Sequence, residues 1–178
     1  ERSIPNGSGS ASDGSTFRNE DSANLQGLEI DFRKDVIDSA NWMGFVSGNY
    51  TLLDAEVTLS EETANLEKTE KRKLQGQSEN LANIQFGLDH LPTGQSLTLL
   101  VNYFDDRIHK ASRALAPEVE EGRMSLDMVY QYEIDEFTEL KAKATNLTDA
   151  KVVYSRDGNE IESYYNGIGF NMTLAKKF

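Results

Sequence analysis

The sequence predicts an all-β protein, an antiparallel up-and-down β-barrel that crosses a membrane with strands, and three observations carry that prediction. Apolar residues recur with a period of two in segment after segment, which is the signature of two-faced strands. The connections between those segments alternate between short and long. Aromatic residues gather toward both ends of the segments, as they do where strands meet the two interfaces of a membrane.

The strands follow in order. From Leu97 the text LTLLVNYF places Leu97, Leu99, Val101 and Tyr103 on one face, with Thr98 and Asn102 on the other. Leu126, Met128, Tyr130 and Tyr132 alternate likewise with Asp127, Val129, Gln131 and Glu133. The same rhythm recurs at Leu28, Ile30 and Phe32, at Ile84, Phe86 and Leu88, and at Phe170, Met172 and Leu174. Seven strands are expected, near residues 17–34, 42–57, 74–89, 96–109, 122–133, 138–150 and 161–178. Helical periodicity is confined to residues 61–73, which lack a sustained apolar stripe.

Short connections lie at residues 35–41, 90–95 and 134–137; long polar ones lie at 59–73, 110–122 and around 156–159. Outer-membrane barrels have this asymmetry, with short periplasmic turns and long extracellular loops. With Phe178 in the periplasm, every short connection falls on the periplasmic side. Residues 1–16, rich in Gly and Ser, read as one more extracellular loop. Trp42, Tyr132, Phe137 and Phe178 then form an aromatic girdle near the short turns, and Tyr50, Tyr103, Tyr154, Tyr164 and Tyr165 lie toward the loops.

Composition narrows the function classes. A net charge of −12 over 178 residues argues against nucleic-acid binding, which rests on basic patches that neutralise phosphate. Cysteine is absent, so disulfide, thiolate-metal and Cys-nucleophile chemistry are excluded together. Mean hydropathy is −0.57, a value usual for a water-soluble chain, yet a barrel strand shows lipid only every second residue. The opening at Glu1, without an initiator Met or an apolar targeting run, leads us to expect a portion of a longer protein.

Catalytic material is thin. Only His90 and His109 are present, and His90 sits in an expected Pro-Gly turn, so no enzyme activity and no cofactor are expected. Asp105, Asp106 and Arg107 follow a strand directly. There an acid pair could hold a cation, or an arginine an anionic ligand, at the extracellular rim; salt bridges among rim residues are the simpler reading. The acids of residues 61–70 and 118–121 read as solvated loop surface. Glu29, Asp31, Arg33, Asp89, Asp127, Glu133, Lys141 and Lys143 share the polar face, a mixture of signs that suits a hydrated lumen or, in a soluble sandwich, open water.

The tail NGIGFNMTLAKKF, with Phe170, Met172 and Leu174 alternating before Phe178, resembles the terminal strand of a bacterial outer-membrane protein, whose last aromatic is read by the barrel-assembly machinery. It has Lys176 and Thr173 where that pattern often has an aromatic and a glycine. Upstream, DSANLQGLE at 21–29, GNYTLLDAEV at 48–57, LQGQSENLANIQFGLD at 74–89, LTLLVNYFDDRI at 97–108 and KATNLTDAKVVYS at 143–155 resemble segments of TonB-dependent receptors in the expected order. In that family the Asn-Leu-x-Asp element, here Asn146 to Asp149, closes the penultimate strand.

The resemblance implies the last seven strands of a larger, 22-stranded barrel, with its plug domain outside this chain. It further implies an outer-membrane active transporter that imports a scarce ligand such as an iron chelate, cobalamin or an oligosaccharide. Its partners would be outer-membrane lipid and lipopolysaccharide, the rest of the barrel and its plug, the TonB complex through the missing N-terminal part, and the assembly machinery. Competing readings are a passive porin and a soluble β-sandwich binding module.

Overall fold

The alternating segments form one antiparallel meander. The computed structural model describes residues 2–4, 16–17, 19–112 and 115–177. In it β3 (Ser22–Asp38), β4 (Trp42–Thr58), β6 (Asn80–His90), β7 (Gln95–Phe104), β10 (Arg123–Asp135), β11 (Thr138–Thr145) and β14 (Gly169–Lys176) lie side by side in sequence order. These are the seven expected strands, each pairing with its neighbour antiparallel, with β3 and β14 at the two edges. A short β5 (Lys71–Lys73) adds to the loop end of β4.

Three short connections close one end, and each has a local reason to turn. Ser39 N donates to Trp42 O and its hydroxyl accepts from Trp42 N, closing the first. Pro92 opens the 3-10 turn Leu91–Thr93, and Gly94 at φ +61 ends it in the left-handed region that glycine enters freely. Asp135 Oδ1 accepts from Phe137 N in the third.

The long connections at the other end are structured. The first holds α1 (Glu61–Glu67), shorter than the expected helical stretch because Lys68 turns left-handed at φ 56. The second holds the hairpin β8 (Arg107–Ser112) and β9 (Glu118–Glu120), and the third holds β12 (Lys151–Arg156) and β13 (Asn159–Tyr165). With β1 (Arg2–Ile4) and β2 (Thr16–Phe17) they make a second sheet of six strands in the order β13, β12, β9, β8, β1, β2.

Several expected boundaries are corrected. Phe17 belongs to β2 and not to the first long strand, which starts at Ser22; residues 1–16 are not wholly loop, since β1 and β2 pair, although 1 and 5–15 lie outside the described residues. The expected strand 96–109 breaks at Asp105 and Asp106, the strand 138–150 ends at Thr145, and the strand 161–178 divides into β13 and β14 around Gly167 at φ +78. The strand 74–89 begins at Asn80.

The strand ends are staggered. On the long-loop side the last paired rung is Ser22 with Thr58 for β3 and β4, Phe104 with Arg123 for β7 and β10, and Thr145 with Gly169 for β11 and β14. Trp42, Gln95 and Leu140 fall in one register row, so those rungs lie sixteen, nine and five residues above it. The loop-side edge of the wall therefore lies lower at its last strands than at its first.

Gly48 allows β4 to pack closely. A Cβ there would stand 2.5 Å from the Asn83 carbonyl oxygen and 3.2 Å from the Phe32 ring. Backbone cannot step aside as a side chain can, so Gly48→Ala is expected to destabilise the sheet by about 1–3 kcal/mol. The denaturant midpoint would fall accordingly, with Ser47→Ala as a mild neighbouring control.

Candidate functional site: a two-faced wall and its charged rim

The register of the meander sorts side chains into two faces. Counting across the strands, Val46, Phe86, Leu99, Met128, Ala144 and Phe170 form one row. Gly48, Ile84, Val101 and Leu126 form the next. All five alternating sets recognised in the sequence share this apolar face. It is open: Phe32 and Phe86 are about half exposed, and Phe170 and Met172 are 79% and 75% exposed.

Trp42 and Tyr132 stand in the same row, beside the short turns, where the Trp42 ring lies 4.3 Å from that of His90. Phe137 sits in the short turn between β10 and β11 and is exposed. Eight residues farther along β4, Tyr50 occupies the row of Ala82 and Tyr103. At ~3.3 Å per residue the two aromatic levels on β4 are about 26 Å apart along the strand, or about 20 Å in height for a strand tilted by ~40°. Leu174 lies in the Trp42 row on β14, and Phe178 lies outside the described residues.

The opposite face is polar. Glu29, Asp31, Arg33, Asp89, Asp127, Glu133, Lys141 and Lys143 all fall on it. Asp31, Asn49, Asn83, Asn102 and Ser125 make one straight row, in which Asn83 Nδ2 donates to Asn49 Oδ1 at 2.8 Å, and Asn49 Nδ2 donates to Glu29 Oε1 in the neighbouring row at 3.2 Å. A shallow concavity of about 280 Å³ lies along these residues. Phe45 is one of this face's apolar members, an aromatic lying against Gly87 with the Arg33 guanidinium 3.9 Å above its ring.

Where wall and rim meet, side chains replace the broken ladder. Asp105 accepts from Asn80 Nδ2 at 2.8 Å, and Asp106 Oδ1 accepts from Gly122 N at 2.6 Å. Asn146, left-handed at φ 55, donates through Nδ2 to Gly167 O, accepts Ala150 N on Oδ1, and donates its own N–H to Asp127 Oδ1. The Asn-Leu-Thr-Asp element thus ends β11, the penultimate strand of the wall. The hydrogen bond from Asn80, followed by that from Asp106 N, holds the Asp105 carboxyl below the ordinary aspartate range.

The three rim residues singled out in the sequence are therefore neighbours with different tasks. Asp105 and Asp106 fasten the junction, and Arg107 belongs to a charged cluster on β8, β9, β10 and β12. Arg107 donates to Glu120 Oε2 at 2.8 Å, and Arg123 donates to Glu120 Oε1 at 2.6 Å. Both guanidiniums lie over the Phe104 ring, at 4.5 and 4.7 Å. Lys110 Nζ donates to Glu118 Oε1 at 2.9 Å, and Arg156 and His109 flank Glu118 at 3.6 and 3.8 Å. Burial alone would push Glu120 up, but the hydrogen bonds from Arg123 and Arg107 outweigh it and hold its carboxyl below the usual glutamate value. The Tyr154 hydroxyl beside them is pushed up to about 12, first by its hydrogen bond with Tyr164 and then by burial.

Sequence reasoning missed this cluster, because Glu118 and Glu120 read as loop surface and the structure buries both to 6% exposure. The available signal was their spacing of two, which puts both carboxylates on one side of a strand. Among the described residues no group of three or more His, Cys, Asp or Glu could hold a metal ion.

Fold and site together define a two-faced antiparallel β wall with a charged rim built from its long loops. Compared with known family models, curated proteins and solved structures, the chain gives no match.

Proposed function

We propose that this chain is the C-terminal part of an outer-membrane β-barrel of the TonB-dependent receptor kind, contributing seven strands to the wall of an active transporter. The observation that carries the reading is the apolar face, in register across all seven strands and open while the other face is polar. In a soluble protein an apolar patch of that extent needs a cover. Here the second sheet grows from the strand ends instead of lying over those side chains, and lipid supplies the cover. The short turns mark the periplasmic end, the six-stranded rim faces outward, and the polar face lines the lumen.

Trp42, Tyr132 and Phe137 form the periplasmic girdle in this reading, and Tyr50 and Tyr103 approach the outer one. Free backbone groups at the outer edges of β3 and β14 cannot face hydrocarbon, so further strands of the same barrel pair there. Import of a scarce ligand driven through a plug and the TonB complex follows from the resemblance of the sequence segments. Fractionation of cells making the parent protein tests the reading. A band extracted from the outer membrane only by detergent, and shifted in gel mobility by boiling, supports it; a protein that stays soluble without detergent overturns it.

A further inference from the structure

On that reading of the wall, the charged cluster of the rim acquires a direction. Arg123 alternates with Met124 on β10 and shares the face of Ser125 and Asp127, so it looks to the lumen side. Arg107 reaches the same Glu120 and the same Phe104 ring, which places the cluster at the inner side of the mouth. Lipid headgroups lie against the other face.

Burial is ordered within the cluster. The side chains of Glu118 and Glu120 are only 8% and 7% exposed, whereas Arg107, Lys110, Arg123 and Arg156 are 25–32% exposed. The carboxylates form a floor and the cations an upper layer that solvent reaches. Four cations stand over two carboxylates, which leaves two positive charges uncompensated within the group. This occurs in a chain of net charge −12.

Nor are the donors exhausted. Arg156 Nη2 lies 3.6 Å from Glu118 Oε2, and its buried Nε has no hydrogen-bond partner among the described residues. Among the described residues Lys110 shows a single hydrogen bond, to Glu118, from a group that carries three N–H bonds. A guanidinium presents its donors as a planar fork that matches carboxylate and phosphate oxygens, and such charge-assisted bonds are the strong ones.

We infer that Arg156 and Lys110, held in place by Glu118 and flanked by Arg107 and Arg123, form an anion-binding site at the inner mouth that takes a soluble ligand bearing clustered carboxylate or phosphate groups. Glu118 and Glu120 orient the cations without cancelling them. The site captures such a ligand before passage, and the positive potential of the four cations raises its local concentration.

The test uses the full-length parent protein in detergent, with citrate and inorganic phosphate as anionic probes and maltose as a neutral one, followed by titration calorimetry. Citrate or phosphate is expected to bind, more weakly as salt rises, while maltose gives no heat. Arg156→Gln and Lys110→Gln should each weaken anion binding by about tenfold, and Arg156→Lys should retain most of it. Absence of anion binding by the unaltered protein, equal affinity in the Gln variants, or saturation of the site by lipopolysaccharide in place of the soluble anions would overturn the proposal. Gel mobility before and after boiling is recorded on each preparation. A retained shift without anion binding sinks the site alone, and a missing shift in the unaltered protein sinks the barrel reading beneath it.

Discussion

Phe86→Arg is expected, on the membrane reading proposed above, to destabilise the folded wall by about 2–4 kcal/mol, the cost of a cationic side chain near the middle of a strand that faces lipid. Phe86 lies four residues along the register from the Trp42 row and four from the Tyr50 row, about half exposed on the apolar face. Gln85, its neighbour in sequence, faces the polar side, and Gln85→Arg should change stability by only about 0.5 kcal/mol or less. Folded fractions in lipid vesicles across a urea series, read by heat-modifiable mobility, separate the two. In terms of populations the first change shifts the equilibrium roughly 30- to 700-fold, at about 1.4 kcal/mol per tenfold. Equal tolerance of both arginines would mean that the apolar face meets water, and the membrane reading would fall.

Glu120→Gln should loosen the rim while leaving the wall folded. The substitution removes a carboxylate that receives hydrogen bonds from Arg107 at 2.8 Å and Arg123 at 2.6 Å. Breaking a fully buried pair costs about 3–5 kcal/mol, and because these guanidiniums are partly exposed a loss of about 1–3 kcal/mol is expected. Amide exchange should rise in β8 and β9 and stay unchanged in β6 and β7.

Acid should do the same to the unaltered protein. The folded pKa of Glu120 is depressed below 4.5, so its contribution is present above that pH and is lost as the pH falls from 4.5 through the depressed value. Glu120→Gln removes this group from the titration, so its rim should already exchange quickly at neutral pH and respond less to acid. A rim that loosens identically in both proteins between those pH values would assign the effect to other groups.

The wall was legible in the sequence because one face of each strand had a uniform chemical character. Leu97, Leu99, Val101 and Tyr103 need no partner to announce period two, and a slip of one residue would invert them, so register follows from pattern. Strand ends were less legible. At Asp105, Asp106, Gly122 and Asn146 the ladder is interrupted by side-chain hydrogen bonds to groups 16 to 25 residues away, and nothing local records those partners. The rim sheet was invisible for a related reason. Its hairpins β8–β9 and β12–β13 come from separate loops, and β9 and β12 meet over only two rungs, Tyr154 with Glu120 and Ser155 with Val119. Glu118 and Glu120 looked like solvated acid because charge in a short loop strand is ordinary, and only the arrival of Arg107, Arg123, Lys110 and Arg156 from other strands permits their burial.

The stagger of the strand ends has a geometric consequence. Strands that close into a barrel lean by roughly 35° or more from its axis, and here the first two short turns close level in the Gln95 row while the third closes two residues below it. A leaning strand occupies more perimeter than an upright one, about 5.9 Å instead of ~4.8 Å. Seven such strands supply an arc of about 41 Å. Rolled up on itself, that arc would make a tube about 13 Å across at the backbone, a bore that side chains such as Phe45 and Arg33 would fill. Left open at β3 and β14, the same arc would, on the barrel reading proposed above, be one sector of a wider circle, with the carboxamide row of Asn49, Asn83 and Asn102 turned to its interior.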